Sequence, residues 1–243
     1  MTSRIEPVTP EAPRTVGRSV LAQWWRQVTF VHWAVDPEAA QRLLPSGLRP
    51  DMIDGVTYVG LVAFRMDRSR VLGLPPAPYL GGFAETNVRL YTVDESGRRG
   101  VLFRSMDATR LVPVLIARTL LGLPYRWSKM RLDDTGDRIS YTCIPGRTGQ
   151  VSHLEVATGK PIDIPSPLEL FLTARWGMHC RGGYLATEHP TWPLRKATIL
   201  TCDDHLVEAA GLPGITGEPP VSALYSPGVP VRFGPAATGP RSG

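Results

Sequence analysis

The sequence predicts an α+β domain in which an antiparallel sheet curls into a barrel or open cone with a few external helices. Three observations lead there. Short β-rich stretches recur through the chain, only two or three stretches have helical spacing, and regular strand–helix alternation is missing, which sets aside a doubly wound parallel fold. The 24 Gly and 24 Pro are dispersed rather than gathered in a tract, as expected of many turns between short strands. A chain of 243 residues buries about 70–75% of its unfolded surface. One domain over residues 18–232 therefore needs no disulfide or metal staple.

The elements follow in order. Residues 1–17, rich in Pro, Thr and Arg, read as a disordered leader. Trp24 to Val35 is rich in β-formers and reads as a strand. Asp36-Pro37 opens a short helix, Glu38 to Leu44, with Asp as the cap and Pro at the first helical position, and Pro45-Ser46-Gly47 ends it. Thr57 to Met66 is a second strand. Gly73 to Gly82 holds three prolines and reads as a loop long enough for a lid or pocket rim. Phe83 to Val93 and Gly100 to Met106 form a hairpin turning at Glu95-Ser96-Gly97. Asp107 is expected to cap a helix from Ala108 to Leu121, whose apolar residues recur at helical spacing. Pro113 kinks that helix or delays its start, and Gly122-Leu123-Pro124 stops it. Two or three strands lie between Trp127 and Val156, followed by a helix from Pro167 to Thr173. Late strands cover Tyr184 to Glu188 and Lys196 to Thr201; the chain from Pro227 is Gly/Pro-rich, with 233–243 expected as a flexible tail.

Composition removes several function classes. The net charge is +5, but the densest basic groups, Arg98-Arg99 and Arg68-Ser69-Arg70, look like turn decoration and no aromatic ladder runs between basic residues. No nucleic-acid partner is expected, and the charge suits anionic metabolites. Cys143, Cys180 and Cys202 make an odd count without framework spacing, which fits a reducing, cytoplasmic setting. Leu111 to Leu123 is interrupted by Arg118 and is too short to span a bilayer, so no membrane role is expected. His179-Cys180 with Cys202-x-x-His205 is the one arrangement suggestive of zinc, but adjacent ligands chelate awkwardly and no metal is expected. Nucleophilic triads and phosphate-binding Gly-rich loops have no supporting motif, so no cofactor is called for.

Several segments resemble a known family. WWRQVTFVHWAVDPEAAQRLLPSGLRP (24–50), YVGLVAFRM (58–66), FAETNVRLYT (83–92) and FRSMDATRLVPVLIARTLLGLPYRWSKM (103–130) are similar to the YqjF-like branch of the acetoacetate decarboxylase superfamily. FLTARWGMHC (171–180) and EHPTWPLRKA (188–197) continue the match, which covers about residues 20 to 200. The resemblance implies a cone-shaped β-barrel with outer helices, a deep interior pocket and a homo-oligomer. It also implies a pocket lysine that forms a Schiff base and a second lysine that depresses its pKa. Those lysines follow a helix ending in Gly-x-Pro, and here Tyr125 and Arg126 stand in their place. Neither phenol nor guanidinium forms an imine. Lys129 has the opposite pleat parity to Arg126. By the same resemblance Arg26 occupies the place of the arginine that engages the substrate carboxylate, and Glu85 that of a pocket glutamate. A second family glutamate would fall near Gly60, where no acid stands.

These residues leave alternatives open. Glu85, on an apolar strand, is either paired with Arg26 or Arg104 or is a pocket acid with a raised pKa. Tyr125 is a polar-tipped core residue or a donor to a substrate carbonyl. Arg126 is a candidate second anion contact; Asp107 is a helix cap or a substrate contact, and His32 a buried structural histidine or a general base. The leading reading is a cofactor-independent enzyme acting on a small or polyketide-like keto or hydroxy acid. Arg26 would hold the carboxylate, Glu85 would move a proton next to a carbonyl, and Tyr125 would steady the oxyanion. Dehydration, enolisation, isomerisation and cyclisation all suit that set. The alternative is a non-catalytic binding module for an acidic small molecule.

Overall fold

A computed structural model describes residues 4–73, 82–110, 122–146, 149, 151–181 and 183–237. Its strands are β1 (Leu21–Val35), β2 (Leu48–Pro50), β3 (Thr57–Val71), β4 (Gly82–Asp94), β5 (Arg99–Ala108), β6 (Tyr125–Asp134), β7 (Arg138–Pro145), β8 (Ser152–Pro161), β9 (Gly177–Cys180), β10 (Gly183–Glu188), β11 (Arg195–Asp204) and β12 (Ser222–Ala237). Among the described residues three short helices accompany them: α1 (Pro37–Gln41), α2 (Pro167–Thr173) and α3 (Leu206–Ala209). The Asp36 side chain accepts from the Glu38 N–H at 3.1 Å, and α2 starts in a reciprocal capping box between Ser166 and Glu169. No helix among the described residues is long and apolar enough to cross a membrane.

The sheet runs β10-β9-β5-β6-β7-β8-β11-β12-β1-β3-β4-β2, and two further pairings, β5 with β4 and β10 with β12, close it on itself twice. Five strands, β12, β1, β3, β4 and β5, are common to both closures, and a separate apolar core lies on each of their faces. One core joins Phe30, Val62, Phe64, Met106 and Tyr125 to Phe171 and Leu172 of α2. The other joins Val31, Trp33, Leu61, Val88 and Leu90 to Tyr141, Leu154 and Leu206. Alternation along each shared strand is thus what sorts its side chains between two compartments.

Some expectations are corrected, and others lie outside the described residues. Asp107 and Ala108 are the last residues of β5, so Asp107 is no cap for a helix starting at Ala108, and residues 111–121 of that expected helix lie outside the described residues. The Gly73 to Gly82 rim likewise falls largely outside them, with Gly82 opening β4. Residues 233–237 of the expected tail instead end β12, and 238–243 lie outside the described residues. Residues 226–231 pair with β1 only, because β11 meets β12 at 224–225 and β10 meets it at 232–237. A strand stretch with one unpaired side tolerates Pro227 and Pro230, whose missing N–H groups would break a fully paired ladder. The leader also makes specific contacts. Val16 is buried, its N–H donates to Glu188 at 2.8 Å, Arg14 donates to the Tyr184 hydroxyl at 3.0 Å, and the Thr9 carbonyl accepts from the Trp176 indole at 3.1 Å.

One glycine in β12 is sterically required. Gly228 sits opposite Arg26 at φ +118°, and a Cβ there would lie 1.9 Å from the Trp25 carbonyl oxygen and 2.7 Å from the Arg26 Cα. At Gly234 the nearest atom to a Cβ is a Val16 methyl at 3.7 Å, ordinary contact. Gly228→Ala is expected to cost about 2–4 kcal/mol in urea unfolding. Gly234→Ala should change stability by less than about 1 kcal/mol.

Candidate functional site

Alternation on β4 turns Phe83, Glu85, Asn87, Arg89 and Tyr91 to one face, and that face belongs to the core shared with α2. Glu85 lies level with Phe64 of β3 and Ala108 of β5. β6 begins alongside: it pairs in parallel with β5, Met106 opposite Tyr125, and the Met106 N–H donates to the Pro124 carbonyl at 3.1 Å. The turn through Leu123-Pro124 therefore sets Tyr125, first residue of β6, against Glu85. The Tyr125 hydroxyl donates to Glu85 Oε2 at 2.7 Å, and the Asn87 amide donates to Oε1 at 3.2 Å.

Glu85 is 1% exposed and, among the described residues, forms no ion pair with a cation. Arg104 donates instead to the carbonyls of Ala210 and Leu43. Burial pushes the Glu85 carboxyl up from 4.5 to about 7, against the two hydrogen bonds that favour its charged form; the Asp107 charge adds to the rise. The Tyr125 phenol is driven well above its ordinary value, first by burial and then by the Glu85 charge. The pair is thus a carboxyl poised to gain or lose a proton near neutrality beside a hydroxyl that keeps its own.

Arg26 is not brought to this site. Gln27 takes φ +51° and the β1–β3 register shifts between Arg26 and Thr29. This bulge lets Trp25, Val28 and Phe30 share one core while Arg26 turns away. The Arg26 side chain is 41% exposed, 3.3 Å from Asp67 and 5.0 Å above the Trp24 ring. Its predicted place in a cavity shared with Glu85 is corrected accordingly. Arg126 also faces away from Tyr125. Its Nε and Nη2 donate to the two oxygens of Asp107 at 3.0 and 2.6 Å, and Ser128 donates to Asp107 at 2.8 Å, so this ion pair ties β6 to β5 instead of offering a free anion contact. Asp107 is wholly buried in that arrangement, on the face of the sheet opposite Glu85. All three lysines lie outside the cores: Lys129 and Lys160 are exposed, and Lys196 pairs with Glu169 at 2.6 Å.

His32 joins the same face as Glu85, further along. It lies level with Gly60 and Arg89, and its Nε2 is 2.7 Å from the Tyr91 hydroxyl. That hydroxyl donates to the Leu172 carbonyl at 2.8 Å and accepts from Arg89 Nε and Nη2 at 3.2 and 3.1 Å. His32 Nε2 shares that hydroxyl with Arg89, and the buried His32 Nδ1 is left without a partner among the described residues. Burial, then the charges of Arg89 and Arg175, hold the imidazole well below its ordinary pKa. At Gly60 a Cβ would come within 3.1 Å of His32 and 3.3 Å of Arg89, so no second glutamate fits there. Asn87, Arg89 and Tyr91 were missed by sequence reasoning. The signal was present: in FAETNVRLY the polar residues at 85, 87 and 89 share one parity in an otherwise apolar strand. Among the described residues no group of three or more His, Cys, Asp or Glu side chains gathers as metal ligands would.

With this geometry in hand, comparison with known proteins is informative. The chain is 29% identical over 221 residues to the uncharacterized protein YqjF of Bacillus subtilis, covering 87% of this chain and 89% of the relative. Its fold is that of an acetoacetate decarboxylase-like enzyme from Sphingomonas wittichii (TM-score 0.62, 15% identity, 97% of this chain and 98% of the other). The acetoacetate decarboxylase of Legionella pneumophila superposes similarly (TM-score 0.65, 15% identity, 93% and 90%). So does the enduracididine biosynthesis enzyme MppR complexed with pyruvate (TM-score 0.57, 18% identity, 91% and 89%). The family of uncharacterized conserved proteins designated DUF2071 matches residues 22–230, and the chain belongs to that family.

Proposed function

We propose that this chain catalyses proton transfer at the carbon beside a carbonyl of a small keto or hydroxy acid, without an imine intermediate. The observation that carries the reading is Glu85, a fully buried carboxyl raised to about 7 and held only by neutral donors. A general base works best when its pKa lies near the working pH, and burial without a counter-ion is the ordinary way to bring a glutamate there. Glu85 takes the proton from the carbon as its carboxylate. Tyr125, protonated at all working pH values, transfers its hydrogen bond to the carbonyl oxygen as negative charge develops there. Return of the proton from Glu85 to a neighbouring atom gives isomerisation, and its delivery to a departing β-hydroxyl forms the carbon–carbon double bond and releases water, which is dehydration. Keto-acid enzymes with this fold support the substrate class, and the exposed positions of the lysines support the absence of a Schiff base.

Solvent exchange tests the chemistry. In deuterium oxide the enzyme is expected to wash the hydrogen at the carbon next to the ketone of 5-oxohexanoate into solvent, followed by NMR. Glu85→Gln should lower that rate by about 10²–10⁴-fold and Tyr125→Phe by a smaller factor. Equal rates in wild type and Glu85→Gln would leave only a binding module. Borohydride added with the keto acid should give no covalent adduct on mass spectrometry, and an adduct on Lys129 would contradict the imine-free step.

The same carboxyl predicts a stability signature. Because its folded-state pKa is raised, the native protein keeps a proton that the unfolded chain releases between about pH 4.5 and 7, so this group's contribution falls as pH rises through that window. A shift from 4.5 to about 7 corresponds to about 3 kcal/mol. Buried His32 and His179 and partly buried His189, all with lowered values, act oppositely on the acid side of neutrality, and equally in wild type and variant. Urea unfolding at pH 5 and pH 8 should therefore show Glu85→Gln gaining about 2–3 kcal/mol relative to wild type at the higher pH. A difference independent of pH would mean that Glu85 ionises normally.

A further inference from the structure

Arg89 is a buried cation whose carboxylate is missing. It is 6% exposed, and among the described residues, which include all 22 Asp and Glu of the chain, no acid lies within ion-pair distance of it. Its Nε and Nη2 are fixed by the Tyr91 hydroxyl, Nη2 also donates to the Leu172 carbonyl at 3.0 Å, and the guanidinium lies 5.5 Å from both the Phe30 and Tyr91 ring centroids. The contrast with its neighbour is direct. Arg175, equally buried and over the same Tyr91 ring, pairs with Asp51, which also takes Arg99. A guanidinium left without an anion in such surroundings is costly unless something supplies one.

Glu85 and Arg89 stand on one face of one strand and do not reach each other. One is a carboxyl without a cation and the other a cation without a carboxylate. Asn87 stands between them, its amide donating to Glu85 and its buried Oδ1 meeting no donor among the described residues. Two opposite charges placed for structure alone would neutralise each other; here, among the described residues, neither has a counter-charge.

We infer that Arg89 anchors the carboxylate of the substrate, and that the substrate is an extended oxo or hydroxy acid whose far end reaches Glu85. The inference rests on the proton-transfer reading of Glu85 and adds the substrate's length and polarity to it. Four strand residues span about 13 Å, and a hydrogen-bond length is taken off each end, leaving a backbone of about five to eight carbons. A hydroxyl part-way along would donate to Asn87 Oδ1. Pyruvate is too short to touch both groups.

Calorimetry on the intact chain with 5-oxohexanoate, its methyl ester and pyruvate tests this. Wild type is expected to bind 5-oxohexanoate about tenfold or more tighter than the ester or pyruvate, as charge-assisted hydrogen bonds from Arg89 Nη1 require. Arg89→Gln should bind acid and ester alike, whereas Glu85→Gln should keep the preference for the acid. Arg89→Lys, which keeps the charge but loses the hydrogen bonds that fix the guanidinium on Tyr91 and Leu172 and serves if the glutamine variant does not fold, should bind the acid about tenfold more weakly. An undiminished acid preference in Arg89→Gln, undiminished affinity in Arg89→Lys, or tighter binding of pyruvate by wild type would overturn the assignment. Absence of any acid binding by wild type would remove it together with the keto-acid reading. Failure of the exchange reaction with the preference intact would remove only the catalytic reading.

Discussion

Burial of the Glu85 carboxyl among neutral partners is the constraint on which the rest of this structure depends. A carboxylate taken out of water without a cation is expensive, and the protein bears that cost in a strand that could as easily have carried an apolar residue. The phenol and amide that meet it satisfy its oxygens without fixing its charge. Its proton is therefore free to move near neutral pH, which a salt bridge to an arginine would have prevented.

The doubly closed sheet makes that environment possible. Because the shared strands present a packed core on each face, one parity can hold Glu85, Asn87 and Arg89 while the other holds structural ion pairs such as Asp107 with Arg126. Single-residue irregularities redistribute side chains between these compartments and the exterior. The bulge at Gln27 is the clearest case, since it alone separates Arg26 from the face occupied by Val28 and Phe30. In the function proposed above, the anionic substrate is met from β4 itself, by Arg89.

Much of the fold was legible in the sequence. Strand-rich stretches gave β1, β3, β4 and β5, the Asp36-Pro37 opening marked a helix that Asp36 does cap, and the helix from Pro167 to Thr173 is α2. Glu85 and Tyr125 were legible as candidates because a family resemblance and an acid in an apolar strand both point to them. Their contact was not, because it depends on β6 entering parallel to β5. β12 was missed for a physical reason: Gly and Pro weigh against a strand locally, yet a stretch paired on one side only accepts them. Arg26 was misplaced because a bulge reverses side-chain parity without any change in composition. Arg89 escaped notice because an arginine in a strand reads as solvated until its neighbours are known.

Side-chain carboxyl NMR with carbon-13 glutamate, assigned through the Glu85→Gln variant, measures the central quantity directly. The structure predicts a Glu85 titration midpoint near 7 in the free protein. A midpoint in the ordinary range of about 4–4.5 would contradict it, for it would mean a carboxylate that is solvated or paired with a cation and unfit for the proton transfer assigned to it.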